Sequence, residues 1–235
     1  MLVNADFDAP VTIRPQDRRW VPSPTGGVER CMLDRVSLDG AVGEVARATS
    51  LVRFAPGSSF PTHTHGGGEE YLVLDGTFSD ETGDFPTSTY VRNPIGTAHA
   101  PHTKDGCTIF VKLHQFSNDD TLGFDVDLAG QLASAPEIGG VRETLLHSTE
   151  DEQVRAVALE AEAMLDHDGV GGAELLVLEG ALVVLGDDWP SGTWARQPDG
   201  VPLVARAGPE GATLWIKTGH LTAQAVAATT RSPSP

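Results

Sequence analysis

The sequence predicts an all-β protein made of two tandem jelly-roll barrels. Three observations carry that expectation. Apolar runs are short and end at Gly, Pro, Asn or Asp, the spacing of strands joined by tight turns. Glycine and proline are abundant, 26 and 16 of 235 residues, which favours many turns over long helices. The second half of the chain also repeats the first, run by run.

Taken in order, residues 1–26 are Pro-rich and polar and end in Trp20-Val-Pro-Ser-Pro-Thr-Gly-Gly. They read as an N-terminal arm laid over a barrel surface, with Trp20 as its anchor. Residues 27–115 form the first barrel. Its strands are expected around Val28–Arg35, Ala46–Phe54, Glu70–Leu74, Thr89–Arg92 and Thr108–Leu113, with a hairpin signal at Asp75-Gly76. Residues 116–139, polar and Gly-bearing, read as a linker. Residues 140–225 form the second barrel. Residues 226–235, ending in Thr-Thr-Arg-Ser-Pro-Ser-Pro, have no strand or helix pattern and read as a disordered tail.

The repeat is legible residue by residue. Gly66-Gly-Gly-Glu-Glu-Tyr-Leu-Val-Leu-Asp-Gly76 lies over Val170-Gly-Gly-Ala-Glu-Leu-Leu-Val-Leu-Glu-Gly180. Asp84-Phe-Pro86 then lies over Asp188-Trp-Pro190, and Thr89-Tyr-Val-Arg92 over Thr193-Trp-Ala-Arg196. After a one-residue slip, Gly106 to Lys112 matches Gly211 to Lys217; upstream, Gly27-Val28 and Met32-Leu33 match Gly140-Val141 and Leu145-Leu146.

The chemistry concentrates between Gly57 and Gly76. His63 and His65 are one residue apart, and alternation along a strand aims both imidazoles the same way. Gly66 to Gly68 suit a tight reversal, after which Glu69 opens the next apolar run. Two imidazoles and a carboxylate brought together in this way are most of a first-row metal site. Pro94-Ile-Gly-Thr-Ala-His99 supplies a fourth ligand, His99.

These stretches resemble the two motifs of the cupin family. Gly57, His63, His65, Glu69 and Gly76 match the first motif, and Pro94, Gly96 and His99 match the core of the second. Ser88 stands where the second motif begins with glycine and Thr103 where it usually ends with asparagine. Both departures bear on turn geometry and leave the ligands intact. With the repeat, the chain reads as a bicupin, two tandem cupin jelly-roll barrels. Trp20-x-Pro-x-Pro, Gly27-Val28, Ser50-Leu-Val-Arg53, the run His63 to Glu81 and Tyr90 to Pro94 look like the cupin domain of ChrR-type anti-sigma factors. The similarity covers most of residues 20–115, with a weaker echo to about residue 220. In that family the residues matching His63, His65, Glu69 and His99 bind zinc. The family's anti-sigma activity belongs to a separate helical domain with its own His/Cys site. Residues 1–26 lack such a cluster, so that activity is not carried over. Relatives of the same cupin group include small dioxygenases that cleave β-diketones and hydroxylated acetophenones.

The repeat shows what the second barrel lacks. His63 falls on His167, but His65 falls on Gly169, Glu69 on Ala173 and His99 on Leu203. One metal per chain is therefore expected, in the first barrel. Glu70, Arg92 and Lys112 recur as Glu174, Arg196 and Lys217, and features kept in both halves read as structural. Arg53 falls on Val157 and so reads as a pocket candidate. His102 and His114 are acid–base or ligand-supporting candidates, although exposed histidine is the plainer reading. Tyr71 reads as a core tyrosine with a satisfied hydroxyl and Cys107 as a packing cysteine.

Composition excludes other classes. With 33 acidic against 16 basic residues the net charge is −17, a field that repels a phosphate backbone, so nucleic acid is not an expected partner. Residues 1–10 have neither the basic leader nor the apolar core of a signal peptide, and no apolar run approaches a membrane span. Cys31 and Cys107 provide no disulfide framework. The expected localisation is cytoplasmic, and the expected partner is a small-molecule substrate or ligand. Cupins often dimerise, so the resemblance also admits a homodimer. The leading functional reading is an iron-dependent dioxygenase acting on a small oxygenated molecule. Its alternative is a non-catalytic zinc-binding sensor module. The ligand types alone do not separate Fe and Zn from Mn, Ni or Cu.

Overall fold

The computed structural model describes residues 1–37 and 45–230. In chain order the first strands are β1 (Leu2–Val3), β2 (Val11–Ile13), β3 (Trp20–Pro22), β4 (Val28–Ser37), β5 (Val45–Phe54) and β6 (His63–Thr64). There follow β7 (Glu69–Asp80), β8 (Gly83–Pro86), β9 (Thr89–Asn93), β10 (Ala98–His99), β11 (Cys107–Leu113) and β12 (Phe124–Asp127). The second half begins with α1 (Leu128–Ser134), β13 (Glu137–Ile138), β14 (Val141–Ser148), β15 (Gln153–Leu159) and β16 (Met164–His167). It ends with β17 (Ala173–Val184), β18 (Asp187–Pro190), β19 (Trp194–Gln197), β20 (Leu203–Thr218) and α2 (Ala223–Thr230).

Two compact units result. The first is built from Met1–Ala5, Arg19–Asp127 and the chain from Thr229, and the second from Asp6–Arg18 and Leu128–Ala228. The first unit's main sheet has the order β1-β4-β5-β11-β7-β9-β12, with β6 and β10 paired in a separate ribbon. The second has β13-β14-β15-β20-β17-β19-β2. The orders correspond strand for strand, as a duplicated all-β jelly roll requires.

Alternation sets the inner face of the first unit. Directly opposed residues share a face, and Val52–Ile109–Val73 and Ser50–Val111–Tyr71 form successive cross-strand rows. These rows, with Phe54, Phe78 and Phe85, make the apolar core. The duplicated polar residues lie at the alternate positions. Tyr90 Oη and Arg92 Nη1 donate to one oxygen of buried Glu70 at 2.5 and 2.8 Å. In the second unit Trp194 Nε1 donates to Glu174 at 2.9 Å, and Lys217 pairs with Glu152 at 2.9 Å.

The structure departs from the sequence reading in three places. Asp75-Gly76 lies inside β7 and is not a hairpin turn: Leu74 is an extra residue between the pairs Val73–Ile109 and Asp75–Thr108, and Gly76 still pairs with Cys107. Gly76 has φ +73°, and a Cβ there would lie 2.2 Å from the Gly106 carbonyl oxygen. A left-handed glycine just past a bulge inside a strand leaves the same mark in the sequence as one in a turn. The reversal itself comes later, at Asp80–Gly83. The segment 116–139 holds β12, α1 and β13, and β12 pairs with β9. Within the tail 226–235, residues 226–230 lie in α2, an Ala-rich helix whose start is capped by Thr222 Oγ1 accepting from the Ala225 amide at 3.2 Å; residues 231–235 lie outside the described residues.

The N-terminal segment is divided between the units. β3 pairs with β4, and the Arg53 guanidinium stacks 4.1 Å from the Trp20 ring centre. β2 pairs with β19 and closes the second sheet. Among the described residues, no helix is long and apolar enough to cross a membrane.

Candidate metal centre

The ribbon of β6 and β10 positions the histidines. His63 and His99 are directly opposed antiparallel partners, which puts both side chains on one face. The His65 amide continues the ladder to the Thr97 carbonyl at 2.8 Å, so His65 shares that face. The ring centres form a triangle with sides of 5.2, 4.9 and 4.7 Å. The glycine turn then brings in β7. Gly68 has φ +76°, and a Cβ there would lie 2.4 Å from the Phe116 ring. Only glycine lets the chain pass, and Glu69 follows as the first residue of β7.

Hydrogen bonds fix the direction of each ring. His63 Nδ1 lies 3.1 Å from the Pro61 carbonyl oxygen and His99 Nδ1 lies 3.0 Å from Asp80 Oδ2. Both partners only accept, so both Nδ1 atoms carry the proton. His65 Nδ1 lies 2.9 Å from Thr97 Oγ1, whose own proton is given to the Pro94 carbonyl at 2.7 Å, so it too donates. The three Nε2 atoms are left with lone pairs, and they converge.

His65 Nε2, His99 Nε2 and Glu69 Oε1 are buried without a hydrogen-bond partner. Glu69 Oε1 lies 3.5 Å from His65 Nε2 and 3.4 Å from His99 Nε2. With neutral imidazoles these are lone pairs facing lone pairs, an arrangement that calls for a cation or a proton between them. The ligand atoms of His63, His65, Glu69 and His99 all lie within 4.8 Å of one another. Donors about 2.1 Å from a shared ion stand roughly 3–4 Å apart, so the four residues fit a first-row divalent metal and could hold one.

Electrostatics agree. Burial, then the neighbouring His99 and His63, pushes the His65 imidazole down to about 3. Burial also lowers His99, although Asp80 opposes the shift. For Glu69, burial raises the carboxyl to about 7 against a hydrogen bond from Asn93. A carboxylate next to the two buried, neutral rings of His65 and His99 gains no compensating positive charge from them.

The four residues stand at the edge of a cavity of about 450 Å³, with an apolar wall that includes Val52, Phe54, Phe78, Ile109 and Val111. His63 is exposed while the other three are buried. His114 also lines the cavity, held at φ +60°. Two arginines that sequence reasoning passed over, Arg30 and Arg35, line it as well.

Other candidates lie elsewhere. Arg53 is outside this cavity: its side chain is half exposed and 3.7 Å from Glu29, on the outer face of β5. His102 is exposed and bridges to Ser59 and Ser79 through its backbone. Cys107 is buried at the other end of β11, and burial raises its thiol to about 11. Tyr71 packs in the core against Phe78, with ring centres 5.0 Å apart, but its hydroxyl has no partner, contrary to the satisfied group expected. The residues supporting the ligands, Asp80 and Thr97, carried no sequence signal of their own beyond Thr97 lying inside the second motif. Ser88, at the motif's glycine position, keeps a left-handed backbone at φ +75°. Its equivalent in the second unit is Gly192 at φ +87°.

In the second unit the matching position is apolar. His167 opposes Leu203, and Ala173 and Leu203 belong to the core cluster. A Cβ at Gly169 would lie 2.6 Å from the Val201 backbone, so the backbone itself leaves no room for a second imidazole.

Among solved structures, three similar folds illustrate the architecture. A protein described as glyoxylate-induced, from Pseudomonas aeruginosa, is 15% identical with a TM-score of 0.69, covering 90% of this chain and 89% of its own. A bacterial pirin in complex with nickel(II), from Escherichia coli, is 14% identical with a TM-score of 0.65, covering 90% and 99%. Salicylate 1,2-dioxygenase from Pseudoaminobacter salicylatoxidans, as adducts with gentisate, is 14% identical with a TM-score of 0.65, covering 94% and 84%. No curated protein sequence matches. The ChrR cupin-like domain family matches residues 8–117 and 129–222, one segment for each repeat. With most of the chain matched and the sheet order repeated in both halves, this protein belongs to the ChrR cupin-like domain family.

Proposed function

We propose that the first unit binds one divalent transition metal through His63, His65, Glu69 and His99 and works as an iron-dependent dioxygenase on a small oxygenated molecule. The observation that carries this reading is the convergence of unpartnered buried lone pairs at the edge of an apolar cavity of about 450 Å³. A structural zinc site is closed on all sides. Here the set opens toward a space large enough for a small molecule, with His63 at its exposed rim.

A metal in this position supplies Lewis-acid and redox chemistry beside the bound molecule. The chain's own residues do the rest. Pro61, Thr97 and Asp80 hold the three imidazoles in one tautomer and orientation. The aromatic and aliphatic wall keeps water from the reacting face. His114, whose imidazole burial holds below its ordinary range against a hydrogen bond to Val45, is a neutral base within the same cavity. Two relatives support the reading by their descriptions, a salicylate dioxygenase with gentisate and a pirin with nickel(II).

The test is metal analysis of protein purified without added metal, followed by oxygen uptake of the iron-loaded protein with β-diketones and hydroxyaryl ketones. Iron-dependent uptake that disappears in His99→Ala is the expected result. Tightly held zinc with no uptake across both classes would replace the enzyme by a zinc-binding sensor.

A further inference from the structure

We propose that Arg30 and Arg35 form an anion subsite in the first unit's cavity, so that the molecule bound beside the metal residues carries a carboxylate at its far end. The proposal rests on the same cavity being a ligand site and adds the chemical class of the ligand.

Strand register puts the two guanidiniums on one face. Arg30 opposes Val52, a cavity residue. Five residues further along, simple alternation would turn Arg35 to the opposite face. The register of β4 against β5 shifts between Met32 and Asp34, and this extra residue restores Arg35 to the inner face, opposite Ala48. Arg35 then belongs to the cross-strand row Arg35–Ala48–Leu113–Glu69. It stands three strand spacings from the proposed ligand Glu69, about 14 Å around the curved sheet. The two charged groups therefore approach a bound molecule from different sides.

The arginines are poorly compensated where they lie. Among the described residues neither has a carboxylate at ion-pair distance. Arg35 Nε reaches the Ser37 hydroxyl at 3.3 Å, and the Arg30 guanidinium lies 5.6 Å from the Phe60 ring centre. Burial depresses both, and the charge of Arg30 further depresses Arg35. This occurs in a chain with 33 acidic and only 16 basic residues, where nearby acids are easy to supply. The only acid lining the cavity, among the described residues, is Glu69. A divalent metal, one carboxylate and two guanidiniums leave the cavity net positive, and an anionic ligand restores the balance.

The second repeat supplies an internal contrast. Its counterparts are Glu143 and Ser148, although the same strand shift recurs between Leu145 and His147. The arginines accompany the four candidate ligands and are absent where three of the four are replaced. A purely structural role in the duplicated sheet would have no such preference.

The test uses zinc-loaded full-length protein, since zinc does not turn over with oxygen, and titration calorimetry with glutarate, its monomethyl ester and acetylacetone. Glutarate has an anion at both ends, the ester at one, and acetylacetone has donors at one end only. Glutarate is expected to bind about tenfold or more tighter than the ester. Arg30→Gln should erase that difference and leave acetylacetone binding within about twofold of the parent. Arg35 is buried, and Arg35→Gln could fail to fold. The acid–ester comparison on the parent and the half-buried Arg30 position carry the test without it. Equal affinity for acid and ester, or an acid preference of full size in Arg30→Gln, overturns the subsite. Zinc content on the same samples separates the two readings. Protein that takes up no zinc sinks the metal assignment, while an acid–ester difference in that protein still reports on the arginines.

Discussion

Replacing Glu69 with glutamine should stabilise the metal-free protein at alkaline pH while destroying its metal site. Glu69 is buried, and burial raises its carboxyl from 4.5 to about 7. The folded pKa exceeds the unfolded one, so the folded state holds the proton more tightly. The associated stability is complete below about pH 4.5 and is lost as pH rises through about 7. A shift of this size corresponds to about 3 kcal/mol. At pH 5 the parent carries a mostly neutral carboxyl and Glu69→Gln should match it. At pH 8.5 the parent buries a charge and the variant should exceed it by up to about 3 kcal/mol. His65 acts in the opposite direction, because its pKa is depressed to about 3. Its contribution is present above its unfolded value of 6.5 and falls away below it, in both proteins alike. Urea denaturation of chelator-treated parent and variant at the two pH values measures the difference directly. With metal present the order should invert, since only the parent gains binding free energy in full. A parent–variant difference that stays constant within about 1 kcal/mol between pH 5 and 8.5 would refute the burial argument.

Four further outcomes are expected. His99→Ala should lose the metal in elemental analysis while His102→Ala keeps it, because His102 is exposed and away from the cavity; equal losses would mean a wrong fourth ligand. Asp80→Ala should weaken metal affinity about 10–100-fold by freeing the His99 ring, with competition against a chromogenic chelator as the measurement; unchanged affinity would remove Asp80 from the site. One metal per chain is expected, lost in His63→Ala and retained in His167→Ala, and two metals in the parent would contradict it. Glu70→Ala removes one of the two carboxylates on buried Arg92, at 2.8 Å, and leaves Asp120 on its other nitrogen; it should cost about 1–3 kcal/mol in urea unfolding, and a loss below about 0.5 kcal/mol would show the pair to be dispensable.

Motif spacing made the four candidate ligands legible because they are placed by short-range geometry. His63 and His65 share a strand face, Glu69 follows one glycine turn, and His99, four strands later in the chain, sits opposite His63. The same local logic misread Asp75-Gly76, since an Asp-Gly with a left-handed glycine also occurs just past a bulge inside a strand. Segments 11–13 and 124–127 were harder still. Each is an edge strand whose partner, β19 or β9, lies far away or across an irregular stretch, and no periodicity announces such pairing. Arg53 was favoured because Val157 replaces it in the second repeat, a contrast that does not say which face of β5 it occupies, whereas Arg35 was overlooked for a different reason. Counting faces along a strand fails after an inserted residue, and the shift near Leu33 cannot be seen without the partner strand. Asp80 and Thr97 were invisible as ligand supports because their role depends on which imidazole nitrogen they meet.

The two repeats show how one framework tolerates opposite interiors. Both keep a glycine two residues past the bulge, Gly76 or Gly180, where an added Cβ would lie 2.2 or 2.1 Å from a carbonyl oxygen. Both keep a glutamate and an arginine on the outer face of the sheet. At the inner position the second unit has Ala173 and Leu203, buried at 1% and 2% exposure among other hydrocarbon side chains. There burial is favourable in itself. The first unit places Glu69 and His99 at the same points, at 6% and 3% exposure, where desolvation opposes the charged forms. For Glu69 alone the cost at neutral to alkaline pH is on the order of 3 kcal/mol. An unfavourable polar cluster held in place by a scaffold that also accommodates an apolar one is the signature of selection for binding and not for folding. A metal held by those four residues would return that energy, and Arg30 and Arg35, as the proposed anion subsite, would extend the same imbalance to the ligand side of the cavity.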